Sequence, residues 1–287
     1  MTLTATRPVT RVAPGRSGAR RTGRRWPLTV LLGLVSMLTV SPFLVMLVLA
    51  LSPPRKPTVP RQWPEQLTFD NFAQTLSAAG FLGWTVNSLI YAGVSVVIIL
   101  LTASMAGYAF AKKRFPGRDA LMWAFLATVM VPFQALLIPM FVLVSDLDGV
   151  DTFWGMIVPT LANSQAVFLM RQFIRDLPDE LFEAAKVDGA SEWRIYWQIV
   201  IPLTKPILAT LGVFVFLWHW NDFLWPLVIA QSDELRTLTV GLTTLKGDEH
   251  PLSLVMASAA ISVVPCLLVF ALLQRYLVNS IAMTGLK

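Results

Sequence analysis

Residues that carry chemistry are scarce in this chain. There is one cysteine, Cys266, so no intrachain disulfide can form. It stands in an apolar segment, as a small buried hydrophobe would. The two histidines, His219 and His250, are far apart and lack the spacing of metal ligands. No GxxxxGK[ST] phosphate loop is present, so the chain has no means of its own to hydrolyse ATP. GxSxG and HExxH are also missing, which leaves an enzyme reading without a nucleophile or a metal. Charge is thin as well, at 14% of residues against about 25% in soluble domains.

What is abundant is apolar surface. The chain is 55% hydrophobic over 287 residues, with a mean hydropathy of +0.63. This is the composition of an all-α integral membrane protein. Six apolar stretches, near 26–51, 84–111, 120–144, 153–173, 206–230 and 254–277, each approach the roughly 20 residues that cross about 30 Å of hydrocarbon. The first follows arginines, as in a secretory signal, but its apolar run exceeds the usual core of about 7–15 residues, which favours an uncleaved anchor. Pro42 is a candidate kink in it. No internal repeat is evident, which weakens a secondary-transporter reading.

The net charge of +6 could suggest a nucleic-acid partner, but its distribution argues for membrane orientation instead. Residues 1–25 hold seven arginines and no acid, the composition of a disordered basic tail suited to anionic lipid. Lys112, Lys113, Arg114 and Arg118 follow the second span. Arg171, Arg175, Lys186 and Arg194 surround the segment after the fourth, and Arg275 and Lys287 close the chain. Six spans put all of these on one side and the acidic loop with Asp146, Asp148 and Asp151 on the other. Arg55, Lys56 and Arg61 run against the pattern but are outweighed by the tail. Both termini are therefore expected in the cytoplasm. The expected divisions are a basic tail at 1–25, a first span with an outer loop at 26–83, a membrane core at 84–278 and a short tail at 279–287.

One polar interruption stands out: LPDELFEAAKVDGASEWRIYWQIVIP, residues 177–202. It predicts two short helices joined at a glycine. Pro178 suits a first helical position, and Asp179, Glu180 and Glu183 suit the positive end of a helix dipole. Leu181, Ala184, Ala185 and Asp188 fall on one face. Gly189 can take the left-handed conformation that ends a helix, and Ser191 can cap the next. Trp193, Tyr196, Trp197 and Val200 then form an apolar stripe. By composition alone such a stretch could simply lie in the headgroup region. The charge pattern places it in the cytoplasm.

Polar residues inside the spans are candidates for a translocation path. Asp222 follows Asn221 in a tryptophan-rich run, about 16 residues or 24 Å beyond the start of the fifth span. A carboxylate there needs water or a partner. It could line the path or hold the bundle together. Trp218, Trp220 and Trp225 could stack on sugar rings or anchor at the interface. Asn87, Gln134, Asn163 and Gln165 are weaker candidates that also suit interhelical hydrogen bonds.

Glu183-Ala184-Ala185, Gly189 four residues on, and Ile201-Pro202 resemble the EAA loop of importer permeases in the ATP-binding-cassette class. Further stretches are similar to the carbohydrate-import branch related to the maltose-type second permease. They are Asn87-Ser88, Ala106-Gly107-Tyr108-Ala109 with Phe115-Pro116-Gly117, Pro132 with Pro139, Arg171-Gln172-Phe173, Trp220-Asn221-Asp222-Phe223 with Trp225-Pro226, and Gln274-Arg275-Tyr276. The resemblance covers roughly 65–287. It implies half of an importer, paired with a second permease, two ATPase subunits and an extracytoplasmic solute-binding protein, with sugar as substrate. ATP and magnesium would be held by the partner ATPase and not by this chain. The docking set would be Leu181, Glu183, Ala184, Ala185, Asp188 and Gly189. The path candidates are Asn87, Gln165, Trp218, Asn221 and Asp222. The alternatives are the same machine for a non-sugar solute, a proton-coupled carrier using Asp222, and a membrane scaffold without transport.

Overall fold

The computed structural model describes residues 26–53, 66–78, 80–245 and 250–284. The basic tail 1–25, most of the proline-rich segment, Lys246, Asp248 and Glu249, and 285–287 lie outside the described residues. All regular structure among the described residues is helical. The chain divides into two units, Met1–Val45 and Met46–Lys287.

The first unit holds most of α1 (Trp26–Ala50), which runs unbroken through Pro42. Its hydroxyls bond within the helix, Thr39 to the Val35 carbonyl and Ser41 to that of Leu38. Hydrocarbon could not otherwise satisfy them.

In the second unit, α2 (Asp70–Ser77) precedes α3 (Phe81–Lys112), a long apolar helix of 32 residues. Next come α4 (Arg118–Val129) and α5 (Phe133–Asp146), then α6 (Phe153–Ile157) and α7 (Ser164–Arg175). Short helices α8 (Asp179–Val187), α9 (Glu192–Ile195) and α10 (Ile201–Leu203) lead to α11 (Lys205–Trp220), α12 (Leu224–Ile229), α13 (Leu238–Thr244) and α14 (Leu252–Thr284).

Three helices, Trp26–Ala50, Phe81–Lys112 and Leu252–Arg275, are each long and apolar enough to cross a membrane. Three bent pairs raise the count to six. The expected third span is really two helices at 100°. Pro132 has no N–H to donate and pushes Val131 out of helical geometry, so α4 ends and α5 restarts behind Pro132. The fourth is bent by 46° after Thr160, and Asn163 restarts it by accepting the Ala166 amide at 2.9 Å. The fifth breaks at 221–223, between α11 and α12. The sixth continues as helix to Thr284, into the stretch expected to be a tail.

The packing centres on α3, which lies against α7, α11 and α13. Gly107 makes the α7 contact possible. A Cβ there would stand 2.7 Å from the Met170 Cβ and 2.9 Å from the Arg171 amide nitrogen. Small residues let membrane helices approach this closely. Around this contact lies the largest core, with Ile99, Ala103, Met170, Ile174, Phe182, Tyr196 and Val200. Asn71 of α2 donates to the Ala50 and Ser52 carbonyls, and Thr75 meets Ser258 of α14.

Candidate functional site: the 177–202 loop and the break after α11

The interruption at 177–202 folds as its capping residues direct. Asp179 and Glu180 occupy the first turn of α8 and Lys186 its last, each matching the helix dipole. Pro178 sits one residue earlier than expected, at the N-cap. Gly189 has φ +74°, and the Gly189 and Ala190 amides bond back to the Lys186 and Ala185 carbonyls. Ser191 then caps α9 by accepting the Arg194 amide at 3.3 Å.

The helix face is not arranged quite as its spacing suggests. Phe182 is the residue that α8 buries, and Ala185 turns partly inward beside it. Leu181, Glu183, Ala184, Val187 and Asp188 face away from the core, with Val187 88% exposed. An exposed apolar strip of Leu181, Ala184 and Val187, bordered by acids, is therefore open to a partner. In the following stripe Tyr196 and Val200 are buried, while Trp193 and Trp197 are exposed and pack edge-on to Tyr196.

The loop is fixed to the end of α3. Lys112 Nζ donates to the Leu177 carbonyl at 2.7 Å and to Asp179 Oδ1 at 2.6 Å, and stands 5.0 Å from the centroid of the Phe182 ring. Lys113 pairs with Glu192, which also accepts the Tyr108 hydroxyl at 2.9 Å. Tyr108 stacks on Phe182 with centroids 6.0 Å apart. Tyr196 meets Ser104 at 2.7 Å. The Lys112 hydrogen bond and charge hold the Asp179 carboxyl below its ordinary range, and the Lys113 hydrogen bond does the same for Glu192, with Tyr108 adding to it. This grip escaped the sequence reading, which took the lysines for topology only. The available signal was two adjacent cations at a helix end facing two acidic helix starts.

The second polar cluster lies at the break between α11 and α12. Asp222 is in the break itself, not within a continuous span. Its Oδ2 accepts the Tyr91 hydroxyl at 2.8 Å. Tyr91 lies edge-on to His219 at 5.0 Å, and His219 bonds Thr160 at 3.2 Å and the Val215 carbonyl at 2.8 Å. Both His219 and Thr160 are buried. Residues at two chain breaks and on α3 thus share one network. Asn87 is buried too, and its amide donates to the Glu234 and Arg236 carbonyls at 2.7 and 2.9 Å. Gln165 is exposed. Asn221 is exposed and donates to the Leu217 carbonyl. Trp218 is half-exposed and meets Phe133 edge-on at 6.3 Å. Asn87 is thus spent on backbone, whereas Gln165, Trp218 and Asn221 remain open. Among the described residues, no group of histidine, cysteine and acids is placed to hold a metal ion.

Residues 99–283 match the family described as "Binding-protein-dependent transport system inner membrane component". The arabinooligosaccharides transport system permease protein AraQ of Halalkalibacterium halodurans is 34% identical over 270 residues, covering 91% of this chain and 96% of that protein. The alpha-glucoside transport system permease protein AglG of Rhizobium meliloti is 39% identical over 236 residues, covering 78% and 61%. Among solved structures, a bacterial ABC transporter that imports the acidic polysaccharide alginate contains a chain with a TM-score of 0.79 and 25% identity, covering 87% of this chain and 95% of that one.

Proposed function

This chain belongs to the inner-membrane components of binding-protein-dependent transport systems, and from that premise we propose that it carries sugar through the membrane on energy delivered at 177–202. It is a transport subunit and multi-pass permease. Sugar as the substrate class is supported by the printed functions of the relatives, arabino-oligosaccharides and alpha-glucosides. The alginate importer points the same way. In this reading a second permease completes the path. Two ATPase subunits, holding ATP and magnesium, dock from the cytoplasm, and an extracytoplasmic protein delivers the solute.

The observation that carries the coupling is the outward strip on α8. Leu181, Ala184 and Val187 give an apolar surface, small at Ala184, on a helix whose own buried anchor is Phe182. Glu183 borders the strip and would meet a basic group of the ATPase. Gly189 turns the chain so that α8 projects as a short rod. Both termini and this loop share the cytoplasmic side, in keeping with the lysines that grip the loop. Trp218, Gln165 and Asn221 offer the open polar and aromatic surface for the path. Asp222 holds the outer break in shape beside it. A proton-coupled carrier built on Asp222 is superseded by family membership.

The test is Glu183→Ala in the full complex. ATPase co-purification and uptake of a labelled arabino-oligosaccharide should both fall about tenfold or more, the loss expected for a charge-assisted contact at the centre of an interface. Unchanged association and uptake would refute the docking role of α8.

A further inference from the structure

The contacts between the end of α3 and the loop at 177–202 reach both of the loop's helices. Lys112 is nearly buried, with its side chain 8% exposed. An ammonium group has three donors, and a buried one must spend them all. Its acceptors are the Leu177 carbonyl, Asp179 and, at 3.4 Å, the Arg175 carbonyl. These belong to the last turn of α7, the connection and the first turn of α8. The next residue, Lys113, takes Glu192 at the first turn of α9 and lies 5.0 Å from the Tyr108 ring centroid. The last residue of α3 and its C-cap, Lys113, thereby hold the starts of both helices of the loop. Phe182, stacked on Tyr108 and beneath Lys112, fills the space between them. From Lys112 the same helix runs back 21 residues, about 32 Å at 1.5 Å per residue, to Tyr91, whose hydroxyl meets Asp222.

We propose that Lys112 and Lys113 are positioning residues that lock the docking loop to α3, so that displacement of α8 by the ATPase reaches the outer break as movement of one rigid body. The proposal rests on the reading of 177–202 as the ATPase-docking loop. It adds that docking alone is not sufficient. A loop that binds the ATPase but slides on α3 would waste the stroke.

The experiment uses the full complex in lipid, with Cys266→Ser and spin labels at Glu180→Cys on α8 and Val97→Cys on α3. With wild-type lysines, the label-to-label distance should be one narrow value that ATP–magnesium does not change. Lys112→Met and Lys113→Glu should lose that single value while the ATPase still co-purifies. Uptake of the arabino-oligosaccharide per ATP hydrolysed should fall about fivefold or more, the size of a typical coupling between sites. Lys113→Arg, and the exchange K113E with E192K, should restore the narrow distance, which a defect of folding would not allow. The proposal is overturned if the variants keep the wild-type distance and ratio, or if they lose the ATPase itself, since the lysines would then merely build the docking face. If the wild-type chain retains no ATPase, the docking reading fails and the proposal goes with it.

Discussion

At one end of α3, Asn87 and Tyr91 are buried and bond to two carbonyls and a carboxylate. At the other, Lys112 and Lys113 reach across to acids that stand largely in water. The contacts of Asn87 and Tyr91 are made by uncharged donors of buried side chains, where leaving one unpaired costs about 1–3 kcal/mol. The inner contacts are ion pairs with exposed acids, and a pair such as Lys113–Glu192 contributes only about 0.2–1 kcal/mol to stability. One end of the helix is therefore built to keep a shape. In the coupling proposed above, the other serves to orient the loop at 177–202 rather than to stabilise the fold. If that proposal holds, a residue's worth in stability is a poor guide to its worth in coupling.

The largest effect on stability is expected at the outer end. Asp222→Ala removes the acceptor of the buried Tyr91 hydroxyl and should lower stability by about 1–3 kcal/mol, whereas Tyr91→Phe removes the donor together with its need and should cost about 1 kcal/mol or less. Thermal unfolding in detergent compares the two. Equal effects, or none from Asp222→Ala, would break the contrast between the ends.

The smallest effect is a pH dependence confined to the inner end. Asp179 and Glu192 have carboxyl groups held below their ordinary values of 3.8 and 4.5. A lowered folded value means that stability is fully present above the ordinary value and is lost as pH falls through the lowered one. The grip should thus be unchanged from neutral pH down to about 4.5 and loosen only below it. Hydrogen exchange in α8 and α9, normalised to α3, reports this. Loosening between pH 5 and 8 would assign the grip to other groups.

Much of this architecture is legible in local sequence because local rules set it. Apolar length marks the spans, and Gly189 and Ser191 mark the turn and cap. Pro132 is expected inside one continuous third span, whereas the chain bends by 100° there. Asp222 was legible as an expensive carboxylate. Its partner Tyr91 lies 131 residues away, and no local pattern joins them. The same holds for Lys112 and Asp179, 67 residues apart. Helical spacing put Ala185 with Leu181 and Ala184, yet the bulk of Phe182 decided which side of α8 turned inward. Asn87 looked like a path residue because a buried amide has the same sequence signature whether it meets a solute or a carbonyl.

The most direct measurement places a photoreactive amino acid at Ala184, with a second chain carrying it at Trp123, an exposed residue of α4, as the reference. After illumination of the assembled transporter, Ala184 should yield an adduct with a separate subunit whose peptides include a glycine-rich phosphate loop, and Trp123 should not. Failure of Ala184 to capture that subunit, or equal capture at both positions, would contradict the account that energy enters this permease through α8.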